Sequence, residues 1–402
     1  MDPTTAAVRA MYEQYPYPSG APAHRTASDT ELVLSYGALR PPRRPRRVLD
    51  AGCGRAVGLL GAASLQPEVH FTGADLNRVA LDQAREAARA RGLANTAFVE
   101  CDLMTLAGLD VPAGGFDVIH SSGVLHHLSD PAAGLVRLRE VLAPHGMIVM
   151  MVYGKQGRRS LMQAAEALAM VTRADEPLPQ RVPLARQAAA LGRGGLFAGT
   201  TFDDTADVDD VELVDRLLNV NETSYDVPAV LALLEAAGLR FVRWCEPADW
   251  DPRRVLPDGP LLRRVLQLPE PDQWRWLELM TEPPGLEFVC AHAANAPAAA
   301  LSADQVPAAE LRVHPEVLFE TGVRHVPAGA RTETLAFRLR RREPVPLRAG
   351  PLAQVVLWLR DHPGPHKGDR LLRELRQLGL GADDAVAAVV ELVRHEVMYA
   401  VV

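Results

Sequence analysis

The 402-residue chain has few cysteines, no excess of positive charge and no long apolar run. Each shortage excludes something. The 4 cysteines, Cys53, Cys101, Cys245 and Cys290, are scattered and form no C-x-x-C pair. That argues against a disulfide framework and a structural zinc site and points to a reducing compartment. No stretch approaches the ~20 apolar residues of a membrane span, and the N-terminus lacks the charged-then-apolar pattern of a secretory signal. The expected location is therefore cytoplasmic, with no membrane partner. A formal net charge of −7 argues against general nucleic-acid binding, which calls for a basic balance. A hydrophobic content of 48% supports a real core. The length admits two domains at the usual ~100–200 residues each.

The most informative stretch is Val48-Leu49-Asp50-Ala51-Gly52-Cys53-Gly54. Two apolar residues end a buried strand, an acid follows, and two glycines then permit a sharp turn against a ligand. Matching signals recur downstream. Val69–Asp75 reads as a second strand, and its terminal Asp75 stands 25 residues after Asp50, where an acid can accept both hydroxyls of a ribose. Thr96–Asp102, Phe116–Gly123 and Gly146–Val152 read as a third, fourth and fifth strand. Asn77 caps a helix to Ala90 that carries Val79, Leu81 and Ala84 inward, and Asp130-Pro131 opens another.

The series VLDAGCG, GADLN, ECDLM, FDVIHSSGVLHHLSDP and LREVLAPHGMIVM resembles the class I S-adenosylmethionine-dependent methyltransferase family from about Arg47 to Tyr153. The resemblance implies an α/β, Rossmann-like sheet of seven strands and S-adenosylmethionine as cofactor. By position it assigns Asp50, Gly52, Cys53 and Gly54 to the methionine end, Asp75 with Leu76 to the ribose, and Asp102 with Leu103 to the adenine. Ser121 and Ser122 would face the sulfonium. One position departs: the family commonly has a third glycine where Ala56 stands, so a slightly altered turn is expected. An NAD site is the competing reading of the same series. It is disfavoured because Val57 occupies the third glycine of G-x-G-x-x-G and Asp50 would repel a phosphate.

The segment Met11–Pro18, with Tyr12, Tyr15 and Tyr17, is stiff and aromatic. It resembles YPYP segments that fold over the cofactor as a lid, which makes Tyr12 and Tyr17 cofactor contacts and Tyr15 a substrate contact. His126 and His127 are candidates for a general base because imidazole titrates near neutrality. The same pattern also suits a loop anchor. Tyr153, ending the fifth strand, is a third catalytic candidate.

Beyond Tyr153 the pattern loosens. Residues 157–172 and 211–218 read as helices. Residues 173–210 read as a loop, and its acids Asp203, Asp204, Asp207, Asp209 and Asp210 lack calcium-loop spacing. The region 155–225 is expected to cover the substrate, with Asp215, Arg216, Asn219 and Tyr225 as substrate-side residues. Val227 opens a further helix. Residues 239–244 and 286–291 read as the last two strands, with an insert at 252–284 between them. The expected division is a lid segment at 1–45, the methyltransferase domain at 46–295, a linker at 296–310 and an accessory domain at 311–402.

The accessory domain reads as a β-prone stretch at 334–340, helices at 352–360, 369–378 and 383–395, and a terminal strand at 398–402, an α+β, winged-helix-like order. Its third helix carries Asp383 and Asp384 with Glu391, the wrong charge for phosphate contact. The basic run 338–342 reads as a solvated strand edge. Dimerisation, as a homodimer, or substrate presentation is the expected role.

The implied reaction is an in-line displacement in which an acceptor atom attacks the sulfonium methyl and S-adenosylhomocysteine leaves. The protein mainly positions reactants and excludes water. A small metabolite or peptide is the expected acceptor, with no metal. A protein-directed methyltransferase and a non-catalytic, cofactor-binding regulator are the alternatives.

Overall fold

The computed structural model describes residues 2–18, 29–173, 175–193, 199–314, 317–325, 331–339, 345–347 and 350–401. Two compact units divide them: residues 1–28 with 41–296, and residues 29–40 with 297–402. No helix among the described residues is long and apolar enough to cross a membrane.

Numbered along the chain, α1 (Pro3–Gln14) opens the first unit, while α2 (Thr30–Leu34) belongs to the second. There follow β1 (Arg47–Ala51), α3 (Val57–Leu65), β2 (His70–Asp75), α4 (Arg78–Ala90), β3 (Thr96–Glu100), β4 (Phe116–Ser122), α5 (Pro131–Val141) and β5 (Leu142–Tyr153). Next come α6 (Arg159–Ala169), α7 (Leu178–Gly192), α8 (Asp210–Leu217), α9 (Val227–Ala236) and β6 (Leu239–Trp244). Helices α10 (Pro252–Val255), α11 (Pro260–Val265) and α12 (Glu270–Thr281) fill the insert before β7 (Gly285–His292). The seven strands form one sheet in the order β3-β2-β1-β4-β5-β7-β6, with β7 antiparallel to both neighbours. This is the seven-stranded Rossmann-like sheet that the resemblance implies, and its order reverses at β1 and β4, where such sheets bind ligands at the carboxyl ends.

The elements have local causes. Asn77 and Asp130 cap α4 and α5 by accepting from Ala80 and Ala133 N–H groups, and Pro131 takes the first helical position. Helix α5 buries Leu135 and Leu138 completely against Leu49, Ile119 and Ile148 of the sheet. Burial of this kind contributes roughly 1.5–3 kcal/mol per leucine. On α4, Ala80, Leu81 and Ala84 face inward, whereas Val79 is 43% exposed and does not join the core. A second apolar cluster joins α1 (Met11) to α6 (Leu161), α7 (Ala185) and α8 (Leu213, Leu217), and so fixes α1 against these helices.

The segment read as a loop before α8 contains α7, which continues through an internal Pro183. Proline is normally a helix breaker; burial of Val182, Ala185 and Ala189 holds the turn together here. Two of the acids there are engaged by arginines: Arg186 of α7 pairs with Asp210 at 2.6 Å, and Arg193, just past the end of α7, pairs with Asp207. Asp209 caps α8.

In the second unit, β8 (Glu310–Val313), β12 (His366–Lys367) and β13 (Met398–Val401) form one three-stranded sheet. β9 (Val317–His325), β10 (Arg331–Leu339) and β11 (Val345–Leu347) form another. Helices α13 (Pro351–Asp361), α14 (Gly368–Gln377) and α15 (Ala382–Arg394) pack Val355, Leu359, Leu375 and Leu392 into a separate core. Two readings of the sequence need correction. The segment 1–45 is not one piece, because α2 packs in the second unit: Tyr399 donates to Asp29 at 3.0 Å and the Ala298 N–H donates to the Tyr36 carbonyl at 2.7 Å. The presumed linker is anchored at Val306, which is fully buried in the second core. Arg340, Arg341 and Arg342 of the basic run, and Val402 of the terminal strand, lie outside the described residues.

Candidate active site and its family

The turn after β1 is built by backbone geometry. Gly52 and Gly54 sit at φ 81° and 51°, and both Gly52 and Cys53 donate their N–H groups to the Ala74 carbonyl. A Cβ on Gly52 would fall inside contact distance of both Val124 methyls, and one on Gly54 would lie 3.0 Å from the Tyr17 carbonyl. Ala56 occupies the left-handed region at φ 55° and precedes the first residue of α3. The turn therefore keeps a shape that favours glycine, with a buried methyl group in it.

The next acid is tied to that turn. Asp75 accepts from Gly54 N–H through Oδ2 and from Asn77 N–H through Oδ1, both at 2.7 Å. Burial pushes its pKa up, against these hydrogen bonds. Burial, and then Asp75, push Asp50 up to about 7. Burial raises the Cys53 thiol well above its ordinary range and takes His120 down to about 4.

A cavity of about 590 Å³ runs across these strand ends. Among the residues singled out from sequence, Tyr12, Tyr17, Asp50, Gly52, Cys53, Gly54, Asp75, Leu76, Leu103, Ser122 and His127 line it. Ser121 does not. Strand residues alternate between faces, so Ser121 points into the core, its hydroxyl without a partner among the described residues, while Ser122 and His120 share the cavity face. Asp102 does not line the cavity either; its carboxylate accepts from Met104 N–H at 2.9 Å and shapes the turn between the lining residues Cys101 and Leu103. Sequence reasoning missed His120, Asn77, Val149 and Glu287. The two-residue step from Ser122 to His120 was the available signal for the first, and the capping position for the second.

The remaining candidates form a buried layer beside the cavity. Asp215, 2% exposed, accepts from Tyr12 hydroxyl at 2.7 Å and Tyr153 hydroxyl at 3.2 Å. Asn219 donates to Tyr12 hydroxyl at 3.2 Å. The His126 ring stacks on Tyr153 at 3.8 Å, and the Arg158 guanidinium lies 3.5 Å over the other ring partner's centroid, that of Tyr153. Arg158 also pairs with buried Glu222 at 3.0 Å. Burial pushes Glu222 up to about 7 and raises Tyr12 and Tyr153 far above the ordinary phenol range. Tyr15 packs on the α1–α8 cluster, Arg216 pairs with Glu212 on its own helix, and Tyr225 lies in the main core. None of these three lines the cavity.

The two histidines differ. His127 Nδ1 lies 2.8 Å from the Asn221 carbonyl, which can only accept, so the proton is on Nδ1 and Nε2 is left as an acceptor. His126 Nδ1 accepts from Tyr153 N–H at 3.3 Å, which puts its proton on Nε2, buried and without a partner among the described residues. Burial depresses the pKa of both, that of His126 well below the ordinary value. Only His127 reaches the cavity.

Residues 44–183 match the sequence family described as Methyltransferase domain, which covers β1 to β5 and the Asp50–Asp75 constellation. The chain carries a class I S-adenosylmethionine-dependent methyltransferase domain. The uncharacterized protein syc1184_c of Synechococcus sp. is 29% identical to it over 299 residues, 69% of each chain. The tRNA 5-carboxymethoxyuridine methyltransferase of Escherichia coli (strain K12) is 34% identical over 113 residues, 28% of this chain and 41% of its own. The solved structure of PKMT2 from Rickettsia typhi in complex with AdoHcy superposes with a TM-score of 0.64 at 16% identity, covering 96% of this chain and 77% of that one. That likeness is one of fold. The methyltransferase domain uses S-adenosylmethionine and yields S-adenosylhomocysteine. The residues fit such a group: a turn closed to any Cβ at Gly52, a carboxylate on the neighbouring strand end, and an apolar wall from Leu76, Cys101 and Leu103.

Proposed function

We propose that the methyltransferase domain methylates a small metabolite or peptide held in the cavity roofed by the N-terminal segment. The carrying observation is that Tyr12, Tyr17 and Pro18 line the same cavity as Asp50 and Asp75. S-adenosylmethionine supplies the electrophilic methyl group on a sulfonium sulfur. The chain's residues bind and orient. Each oxygen of Asp75 retains a lone pair after accepting its backbone N–H and can take a ribose hydroxyl. Asp50 faces the cationic, methionine end. The tyrosines and Pro18 exclude water from the reacting atoms. His127, whose Nε2 is left as an acceptor, is a cavity-lining group able to take a proton from an acceptor that must lose one.

Incubation of the purified chain and a cell extract with methyl-labelled S-adenosylmethionine tests the reading. The label is expected in the small-molecule or peptide fraction. Label confined to large proteins would replace this reading with a protein-directed activity, and bound cofactor with no transfer would replace it with a regulatory role.

A further inference from the structure

We infer that Asp215 is a positioning residue for the cofactor site: its carboxylate holds Tyr12 in place over the cavity and thereby sets cofactor affinity. The inference rests on the cofactor assignment of Asp75 and Tyr12 given above.

Asp215 does not line the cavity, and both its oxygens already accept tyrosine hydroxyls, Tyr12 at 2.7 Å and Tyr153 at 3.2 Å. It stands behind the cavity wall, bonded to a residue that lines it. It is 2% exposed, and among the described residues it makes no ion pair with a lysine or arginine. The guanidinium of Arg158, beside the Tyr153 ring, is engaged by Glu222. A buried carboxylate satisfied only by neutral donors, here the two hydroxyls and Asn219 Nδ2 at 3.4 Å, loses heavily when one donor moves. That makes the position of Tyr12 sharply defined.

Tyr12 is held at its other end as well. Its carbonyl accepts from Asn77 Nδ2 at 2.7 Å, and the Asn77 N–H donates to Asp75 Oδ1 at 2.7 Å. An unbroken chain of hydrogen bonds thus runs from Asp75 through Asn77 and Tyr12 to Asp215. It links the end of β2, the start of α4, the lid helix α1 and helix α8. The chain passes beside His127, whose ring meets that of Tyr12 edge-on with centroids 6.1 Å apart. Displacing the Tyr12 hydroxyl frees a cavity-lining side chain of α1 whose own backbone carbonyl is fixed to Asn77.

The test is calorimetric titration of S-adenosylhomocysteine into the wild type, Asp215→Asn, Tyr12→Phe and the double variant. Each single variant is expected to bind about tenfold more weakly, a change of about 1.4 kcal/mol. The double variant is expected to be no more than about twofold worse than either, because both remove one shared contact. Asp215→Glu should recover part of the loss. Hydrogen exchange supplies a second readout: S-adenosylhomocysteine should slow exchange in α1 of the wild type and fail to do so in Asp215→Asn. Losses that multiply to about a hundredfold in the double variant, or wild-type affinity in Tyr12→Phe, would overturn the inference. If Asp215→Asn does not fold, Tyr12→Phe alone decides, since it removes one hydroxyl. A wild type that does not bind S-adenosylhomocysteine would bring down the cofactor reading itself, an outcome distinct from variants that bind like wild type.

Discussion

Gly54 donates its backbone N–H to Asp75 Oδ2 at 2.7 Å, so the glycine turn after β1 and the acid ending β2 are one rigid unit before any ligand arrives. This bond explains why two features 21 residues apart act together: the parallel pairing of Asp50 with Gly73 and Ala51 with Ala74 brings both strand ends to one edge. The site is preorganised by backbone groups, which lose no side-chain entropy on binding.

The left-handed Ala56 is a point of strain at the start of α3. A β-branched side chain cannot take that conformation without clash. Ala56→Val is expected to destabilise the protein by about 2–3 kcal/mol, since the position is also completely buried. Ala56→Gly should stay within about 1 kcal/mol of wild type, relief of strain offsetting the lost methyl and the freer unfolded chain. Chemical denaturation measures both. Equal stability of the valine variant would show that the turn tolerates a different backbone.

Asp50 makes stability depend on pH. Its ordinary value is 3.8 and burial raises it to about 7 in the folded state. Between these values the folded protein holds a proton that the unfolded chain has released, so this group's contribution to stability falls as pH rises from about 4 to 7 and is flat above. Asp50→Asn removes that contribution and leaves those of Glu222, His120 and the other shifted groups. The stability gain of Asp50→Asn over wild type should therefore grow from pH 5 to pH 7 in urea titrations of the ligand-free protein. A gain that is constant with pH would place Asp50 in contact with water.

Leu34 tests the assignment of residues 29–40 to the second unit. It is 1% exposed on a five-residue helix that could not persist alone. Leu34→Ala is expected to cost about 2–4 kcal/mol. Hydrogen exchange should locate the loss in β13, against which α2 packs, and leave β1 and β4 protected. Loss of protection confined to the sheet of the first unit would contradict the division.

Much of the first unit was legible because its signals are local. Apolar runs mark the strands, Asn77 and Asp130 mark helix starts, and the acids at 50 and 75 repeat at one strand–helix–strand interval. What was missed depends on long-range packing. Tyr12 and Asp215 meet although 203 residues separate them, and no spacing rule foretells that contact. It turned substrate candidates into a buried support. The helix through Pro183 was hidden by its own proline, and α2 reads locally like any capped turn until it packs against β13. The alternation of β4 was legible, and reading it strictly would have separated Ser121 from Ser122 and found His120. The fold places the methyl donor and leaves the identity of the acceptor to the side chains around one shared cavity.

The most direct measurement is calorimetric titration of S-adenosylmethionine into the wild type and Asp75→Ala. Removing this carboxylate deletes the acceptor for Gly54 and Asn77 N–H groups as well as the ribose contact. The account predicts one site per chain in the wild type and at least about tenfold weaker binding in the variant, a loss typical of a charged hydrogen bond. Binding of wild-type strength in Asp75→Ala would contradict the site as assigned.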